Sequence, residues 1–352
     1  MKLIRTEDAE GTVLCHDITQ IIKGVTKDAV FRKGHVVTKE DIPVLLSVGK
    51  DQLYVWEKEE GMLHENDAAE ILCAMCRGEN MERSGAKEGK IELTAACDGL
   101  LKVNNKGLKA VNGFGQMMIA TRHGNFKVKK GDKLAGTRII PLVIEEEKME
   151  AARKAAAEAS GGKPLLELKP FVHKKVGIVT TGNEVYYGRI KDTFTPVIEE
   201  KMAEFDTEII DHVTWNDDDK KVTASVLDMI AKGADIVVCT GGMSVDPDDR
   251  TPLAIKNTGA RIVSYGAPVL PGAMFLLAYY QVTEGENPRT VAVMGLPGCV
   301  MYAKRTIFDL VLPRVMADDE VTSEDLAALG QGGFCLNCPV CTFPNCGFGK
   351  GY

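Results

Sequence analysis

From residue 174 onward the chain alternates two textures. Short β-branched runs bounded by turn residues (Val176–Thr180, Glu208–Val213, Ile236–Cys239 and Ala260–Val263) read as strands. Between them lie stretches with helical spacing. Pro196–Phe205 carries Val197, Met202 and Phe205 as an apolar stripe, and Lys220–Lys232 is opened by Asp217-Asp218-Asp219. Those aspartates suit the favourable end of a helix and are expected to be a solvated helix start. A hairpin, Met274–Tyr280 with Thr290–Met294, and one long helix, Val300–Val315, bent or ended by Pro313, complete the segment. The alternation predicts an α/β domain around a mainly parallel sheet, whose ligands sit at the carboxyl ends of the strands. Three glycine turns fall at those ends: Thr181-Gly182, Gly241-Gly242 and Gly295-Leu296-Pro297-Gly298.

Residues 1–145 are patterned differently and are expected to form a smaller α+β region. Thr38 reads as the N-cap of a helix Lys39–Ser47, with Asp41 completing the box and Gly49 ending it. Leu53–Trp56 reads as a strand. Asn66–Arg77 reads as a helix with Ile71, Leu72 and Met75 inward and Cys73 and Cys76 as packing residues. Over about 90–144, alternating pieces such as Ile91-Glu92-Leu93 and Phe126-Lys127-Val128 are separated by Gly99, Gly107, Gly113, Gly124 and Gly131. That texture predicts a small β-barrel or sandwich with no catalytic constellation, His123 being a surface or structural residue and not a ligand. An Ala/Glu/Lys-rich exposed helix and Gly161-Gly162-Lys163-Pro164 make 146–170 a linker, followed by the α/β domain at 171–318.

Composition narrows the function. A net charge of −7 over 352 residues argues against a broad nucleic-acid surface. No run of about eighteen apolar residues occurs, so no membrane span is expected. The opening MKLIRTEDAEG lacks the apolar core of a signal peptide, so a cytoplasmic chain is expected.

The chemistry concentrates in ADIVVCTGGMSVDPDDRTP, residues 234–252. A strand breaks into Thr240-Gly241-Gly242, and a helix follows with Thr251 as expected N-cap and Pro252 at its first position. Strand, glycine turn and helix start together form an anion site of backbone amides. Alone, Gly-Gly is a tight turn; the other two turns and the acidic residues raise it to a ligand loop. Asp246, Asp248 and Asp249 would repel a bare phosphate, so they are either simply exposed or bridged to it by a divalent cation.

Four stretches, VGIVTTGNEV (176–185), ADIVVCTGGMSVDPDD (234–249), VLPGAM (269–274) and VMGLPGCV (293–300), resemble the molybdopterin-binding domain of molybdenum-cofactor biosynthesis, most of all that of the molybdopterin molybdenumtransferases, or molybdenum insertases. FRKGHVVTKEDIPVLLSVGKDQLYVWE (31–57) is similar to the segment that leads into that domain. The resemblance implies a three-layer α/β domain, a homo-oligomer, and a pterin phosphate held across the strand ends with Mg²⁺, molybdate being a further ligand. It assigns Gly241, Gly242 and Ser244 to the phosphate loop, with Thr181, Gly182, Thr240, Pro271 and Gly272 around the cofactor. Gly295, Pro297 and Gly298 form a third wall. Asp249 and Glu184 fall on acidic, catalytic positions; Asp246 and Asp248, read above as carboxylates that a divalent cation could bridge, are expected beside Asp249 around Mg²⁺.

The chain departs from the family at several places. Asn183 stands for Asp, Asp246 for Gly, Leu270 and Met274 for lysines, and Cys299-Val300 for Asn-Pro. The lost lysines are cationic partners for phosphate or molybdate. The reading is a transferase-type enzyme that delivers molybdate to adenylylated molybdopterin, with other molybdenum-cofactor enzymes as partners. The alternative is a non-catalytic carrier or sensor of the finished cofactor, separable by its lack of turnover.

Of ten cysteines, four crowd into a Cys-rich tail (319–352) as Cys335-x2-Cys338-x2-Cys341-x4-Cys346. In a cytoplasmic chain this spacing predicts a Zn²⁺ or [4Fe–4S] site, not disulfides. Flanking glycines predict a flexible tether.

Overall fold

The computed structural model describes residues 2–22, 26–55, 60–283 and 288–351. Trp56 of the expected strand and residues 284–287 of the expected hairpin turn lie outside them. The chain divides into two compact units, one comprising Met1–Ala96, Val103–Arg122 and Lys130–Glu167, the other Cys97–Lys102, His123–Lys129 and Leu168–Tyr352.

In the first unit Lys2–Arg5 pairs antiparallel with Gln52–Val55 beside a helix Asp41–Ser47. That helix begins two residues later than expected. The Asp41 carboxylate accepts from the Thr38 N–H at 2.8 Å, which is half of the anticipated capping box. The helix read over Asn66–Arg77 forms one residue earlier, at Glu65–Cys76, with Leu72, Cys73, Met75 and Cys76 buried and Ile71 half-buried.

The expected barrel does not close. Met81–Arg83, Lys90–Ala95, Lys133–Ile139 and Met117–Thr121 make an open antiparallel sheet, and the other strands of 90–144 pair elsewhere. An unexpected helix, Asn105–Asn112, is capped by the Asn104 side chain accepting from the Gly107 N–H at 2.8 Å. Gly107 reads as a turn residue; it is there because Leu165 fills the space where its Cβ would be. Nor is 146–160 an exposed linker helix: Met149, Ala152 and Ala156 are buried, and Gly161 ends it in the left-handed conformation.

The second unit contains the predicted α/β sheet, together with Cys97–Lys102 and His123–Lys129, which the sequence reading places in the N-terminal region. Six strands, β1 (Lys174–Thr181), β2 (Thr207–Trp215), β3 (Ile236–Thr240), β4 (Arg261–Tyr265), β5 (Leu276–Val282) and β6 (Arg289–Leu296), form one sheet in the order β2-β1-β3-β6-β5-β4. The first four positions are parallel; β5 and β4 add an antiparallel edge. Alternate residues face opposite layers. Ile236 and Val238 join the core shared with Ile198 and Met202 of α2 (Thr195–Met202) and with α5 (Ile307–Met316). Val237 and Cys239 join the core of α3 (Asp219–Ala231) and α4 (Thr251–Asn257). A single turn, α1 (Asn183–Tyr186), precedes α2.

The expected long helix Val300–Val315 is split into a 3-10 turn, Gly298–Met301, and α5. Thr306 starts a fresh helix through a full capping box with Asp309, and Pro313 lies inside α5. After α6 (Ser323–Ala328) the two ends of the tail, Cys335 on one side and Phe343, Cys346 and Phe348 on the other, pack on the domain, so the tail is anchored instead of hanging as a free tether. Leu270 N–H donates to the Gly333 carbonyl and Cys335 N–H to the Leu270 carbonyl, both at 2.8 Å. Among the described residues no helix is long and apolar enough to cross a membrane.

Candidate functional site

Parallel neighbours end level with one another. Thr180 lies opposite Thr240, and Thr240 opposite Leu296, so the loops after β1, β3 and β6 meet at one edge of the sheet. Both glycines after β3 adopt positive φ, +81° at Gly241 and +53° at Gly242. A Cβ on Gly241 would run into the Thr181 carbonyl oxygen, and one on Gly242 would lie 2.9 Å from Thr251 Oγ1. The Thr251 hydroxyl donates to the Gly241 carbonyl at 2.8 Å and its N–H to the Gly242 carbonyl at 3.1 Å. Thr251 is therefore the first residue of α4 and not its N-cap; Arg250 takes that place, and Pro252 falls at the second helical position, one later than expected.

Both glycine carbonyls are satisfied. Among the described residues, the N–H groups of Gly241, Gly242 and Ser244 have no partner in the protein. Ser244 is exposed, and the Tyr265 hydroxyl holds its segment by donating to the Met243 carbonyl at 3.1 Å. Unpaired amides on a tight, positive-φ loop form a concavity for an anion.

Carboxylates ring this loop. The Asp249 carboxylate accepts from the Asp246 N–H at 2.9 Å and thereby closes the 246–249 turn, leaving Asp246 and Asp248 exposed. Glu184 is exposed above Gly182, whose φ is +141°. Asp217 is the residue that sequence reading missed. Its carboxylate accepts from the Asn183 N–H at 3.2 Å. Burial pushes its carboxyl up from the usual range; the Asn183 N–H opposes this, and the charges of Glu184, Asp248 and Asp249 add to it. Its two neighbours do what a helix start does. Asp218 caps α3 by accepting from the Lys220 and Lys221 N–H groups, and Asp219 pairs with Arg250 at 3.2 Å. The signal for Asp217 was topological: β2 is parallel to β1, so its following loop reaches the same sheet edge.

Other expected residues stand differently. Thr181 and Thr240 are buried, the Thr240 hydroxyl donating to Thr180 Oγ1 at 3.4 Å. Gly295 lies within β6, where its Cβ would meet Met243 Sδ at 2.5 Å. Gly272 is likewise buried, with Ile307 Cγ2 2.5 Å from its Cβ position, and the Pro271 carbonyl accepts from the Ile307 N–H at 3.3 Å. Gly295 and Gly272 are thus taken up in packing instead of lining open space, Pro271 is half-buried with its carbonyl bonded, and Pro297 is buried. Gly298 is exposed with nothing near its Cβ position and continues the wall beyond β6. Among the described residues, no three His, Cys, Asp or Glu side chains are gathered as a metal cage. That holds for the loop carboxylates and for the four tail cysteines.

Residues 177–317 match the family model described as a probable molybdopterin binding domain, and residues 3–57 match one described as a domain of unknown function (DUF8806). A CinA-like protein of Mycobacterium sp. (strain MCS) is 32% identical over 77 residues, 22% of this chain and 18% of its own. One from Mycobacterium tuberculosis (strain ATCC 25618 / H37Rv) is 32% identical over 80 residues, 23% of this chain and 19% of its own. The chain thus spans about a fifth of the length of the curated relatives it matches. A tungsten cofactor synthesizing protein MoaB from Pyrococcus furiosus superposes with a TM-score of 0.34 at 21% identity, covering 42% of this chain and 98% of that one. Residues 177–317 carry a molybdopterin-binding domain of the molybdenum-cofactor-biosynthesis type.

Proposed function

We propose that the Gly241–Ser244 loop holds the phosphate of molybdopterin, and that the domain acts in insertase-like transfer of molybdate to adenylylated molybdopterin. The observation that carries this reading is the set of unpaired N–H groups at Gly241, Gly242 and Ser244. They sit on a loop pinned from below by Thr251, and so present fixed donors without reorganisation. Gly298 bounds the ligand on the β6 side, and Glu184 bounds it on the β1 side.

The donor set suits Mg²⁺, a hard cation that takes carboxylate and phosphate oxygens. With no preassembled cage, the fitting arrangement is one or two carboxylates, Asp249 and Asp217 or Glu184, with the ligand phosphate supplying the rest. When bound there, Mg²⁺ polarises phosphate oxygen. The chain's own residues bind and orient: the amides fix the phosphate, Asp249 fixes the 246–249 turn, and Asp217 holds the start of α1 through the Asn183 N–H.

The test is twofold. Full-length protein should retain a pterin that Gly242→Val loses, and should consume molybdate with adenylylated molybdopterin. Pterin binding without any turnover would defeat the transferase reading and leave the binding one.

A further inference from the structure

We propose that Cys335, Cys338, Cys341 and Cys346 form a tetrathiolate metal site in a closed C-terminal loop, seated against the 298–306 segment that follows the third glycine turn. This goes beyond the pterin site and does not depend on it.

The loop is already closed at its base. The Gly349 N–H donates to the Gly332 carbonyl at 3.0 Å, and a Cβ on Gly332 would lie 2.8 Å from the Gly347 carbonyl oxygen. Leu270 holds the incoming strand on both sides of Phe334, through Gly333 and Cys335. Phe348 is 5% exposed, and Gly349 lies so close on Leu310 that no side chain fits. Cys335 and Cys346, the outer two thiols, flank this neck and pack on the same apolar cluster. The entropy of bringing the loop ends together is therefore met by protein packing.

The segment between is held differently. Leu336 and Val340 are 76% and 77% exposed, and Cys338 and Cys341 are exposed as well. Apolar side chains so exposed do not define a loop; a ligand that gathers the four thiols would. The thiols stand apart in this structure, so binding moves the exposed segment and leaves the neck in place. Soft thiolates at this spacing select Zn²⁺ or an iron–sulfur cluster. Four thiolates leave either centre net negative, and Lys304 supplies the cationic flank, since Arg305 is already paired with Asp309 and Glu204. Lys304 Nζ donates to the Pro339 carbonyl at 3.0 Å and the Cys338 carbonyl at 3.4 Å, and Arg305 lies 5.1 Å over the Phe343 ring. Lys304 and Arg305 belong to the 298–306 segment, so a rigid centre would buttress the wall that begins at Gly298.

The experiment uses the full chain purified anaerobically, and the metal-free chain given Zn²⁺ alone or equal Fe²⁺ and Fe³⁺ with sulfide. One zinc ion or one [4Fe–4S] cluster per chain is expected, distinguished by elemental analysis and visible absorption. Cys338→Ser/Cys341→Ser changes only exposed side chains and should lose stoichiometric metal while keeping the melting temperature of the metal-free wild type. Hydrogen exchange across 298–306 should slow on loading. No stoichiometric metal in either arm, or equal metal in the double variant, overturns the site. Unchanged exchange overturns its seating on 298–306.

Discussion

The Thr251 side chain and the Gly241 carbonyl are joined at 2.8 Å, so the first residue of a helix, not a capping residue before it, ties down the loop at the strand end. The consequence is directional. Gly241 spends its acceptor inward and keeps its donor free, which is what an anion-binding turn requires.

Thr251→Val should remove that tie while keeping the shape of the side chain. Losing one such hydrogen bond and leaving a carbonyl unpaired costs about 1 kcal/mol. A melting-temperature drop with weakened pterin retention is expected, and Thr251→Ser should restore both. Retention unchanged in the valine variant would separate the tie from the site.

Gly241→Ala should be worse for stability than Gly242→Ala. The first methyl meets backbone, the Thr181 carbonyl, at a φ of +81°; the second meets a threonine hydroxyl at a φ of +53°. A left-handed non-glycine residue costs about 1 kcal/mol, and the backbone clash adds to it at Gly241. Denaturant midpoints of the two variants check the order.

Asp217 sets a pH dependence with a definite sign. Its carboxyl is raised above 3.8 in the folded protein, so the native state binds the proton more readily than the unfolded chain. Its penalty is absent below 3.8, develops as pH rises from there to the folded value, and is fully present above it. Asp217→Asn keeps an acceptor for the Asn183 N–H and removes the charge. The stability gained by this variant should be larger at about pH 7 than at about pH 4. A gain that does not change with pH would contradict the assignment.

The domain was legible because its strands are continuous apolar runs and its turns are glycines, signals that local sequence carries. The helix at Asn105–Asn112 was hidden by Gly107, whose reason is the contact with Leu165, far along the chain. Gly272 and Gly295 carry the same lesson in reverse. They read as ligand-facing, yet Ile307 and Met243 occupy their open sides. A glycine announces a close approach, and only the fold tells whether the approaching atom is a ligand or the protein itself. Asp217 was hidden in an aspartate run, where only strand order singles it out.

Asp249→Asn should separate loop geometry from charge. The amide oxygen can still accept from the Asp246 N–H, so the 246–249 turn survives. Mg²⁺-dependent turnover should fall far more than pterin binding. Equal loss of both would make Asp249 a pterin-binding residue instead of a metal ligand.

The central claim rests on Gly241–Ser244 as the phosphate loop, and pterin content of the purified chain tests it most directly. Wild type and Gly242→Val, matched for folding by circular dichroism, are denatured, oxidised and assayed for fluorescent pterin. A valine there would crowd Thr251 Oγ1 and cover the free amides, so pterin is expected in the wild type and absent from the variant. Equal pterin in both would place the ligand elsewhere.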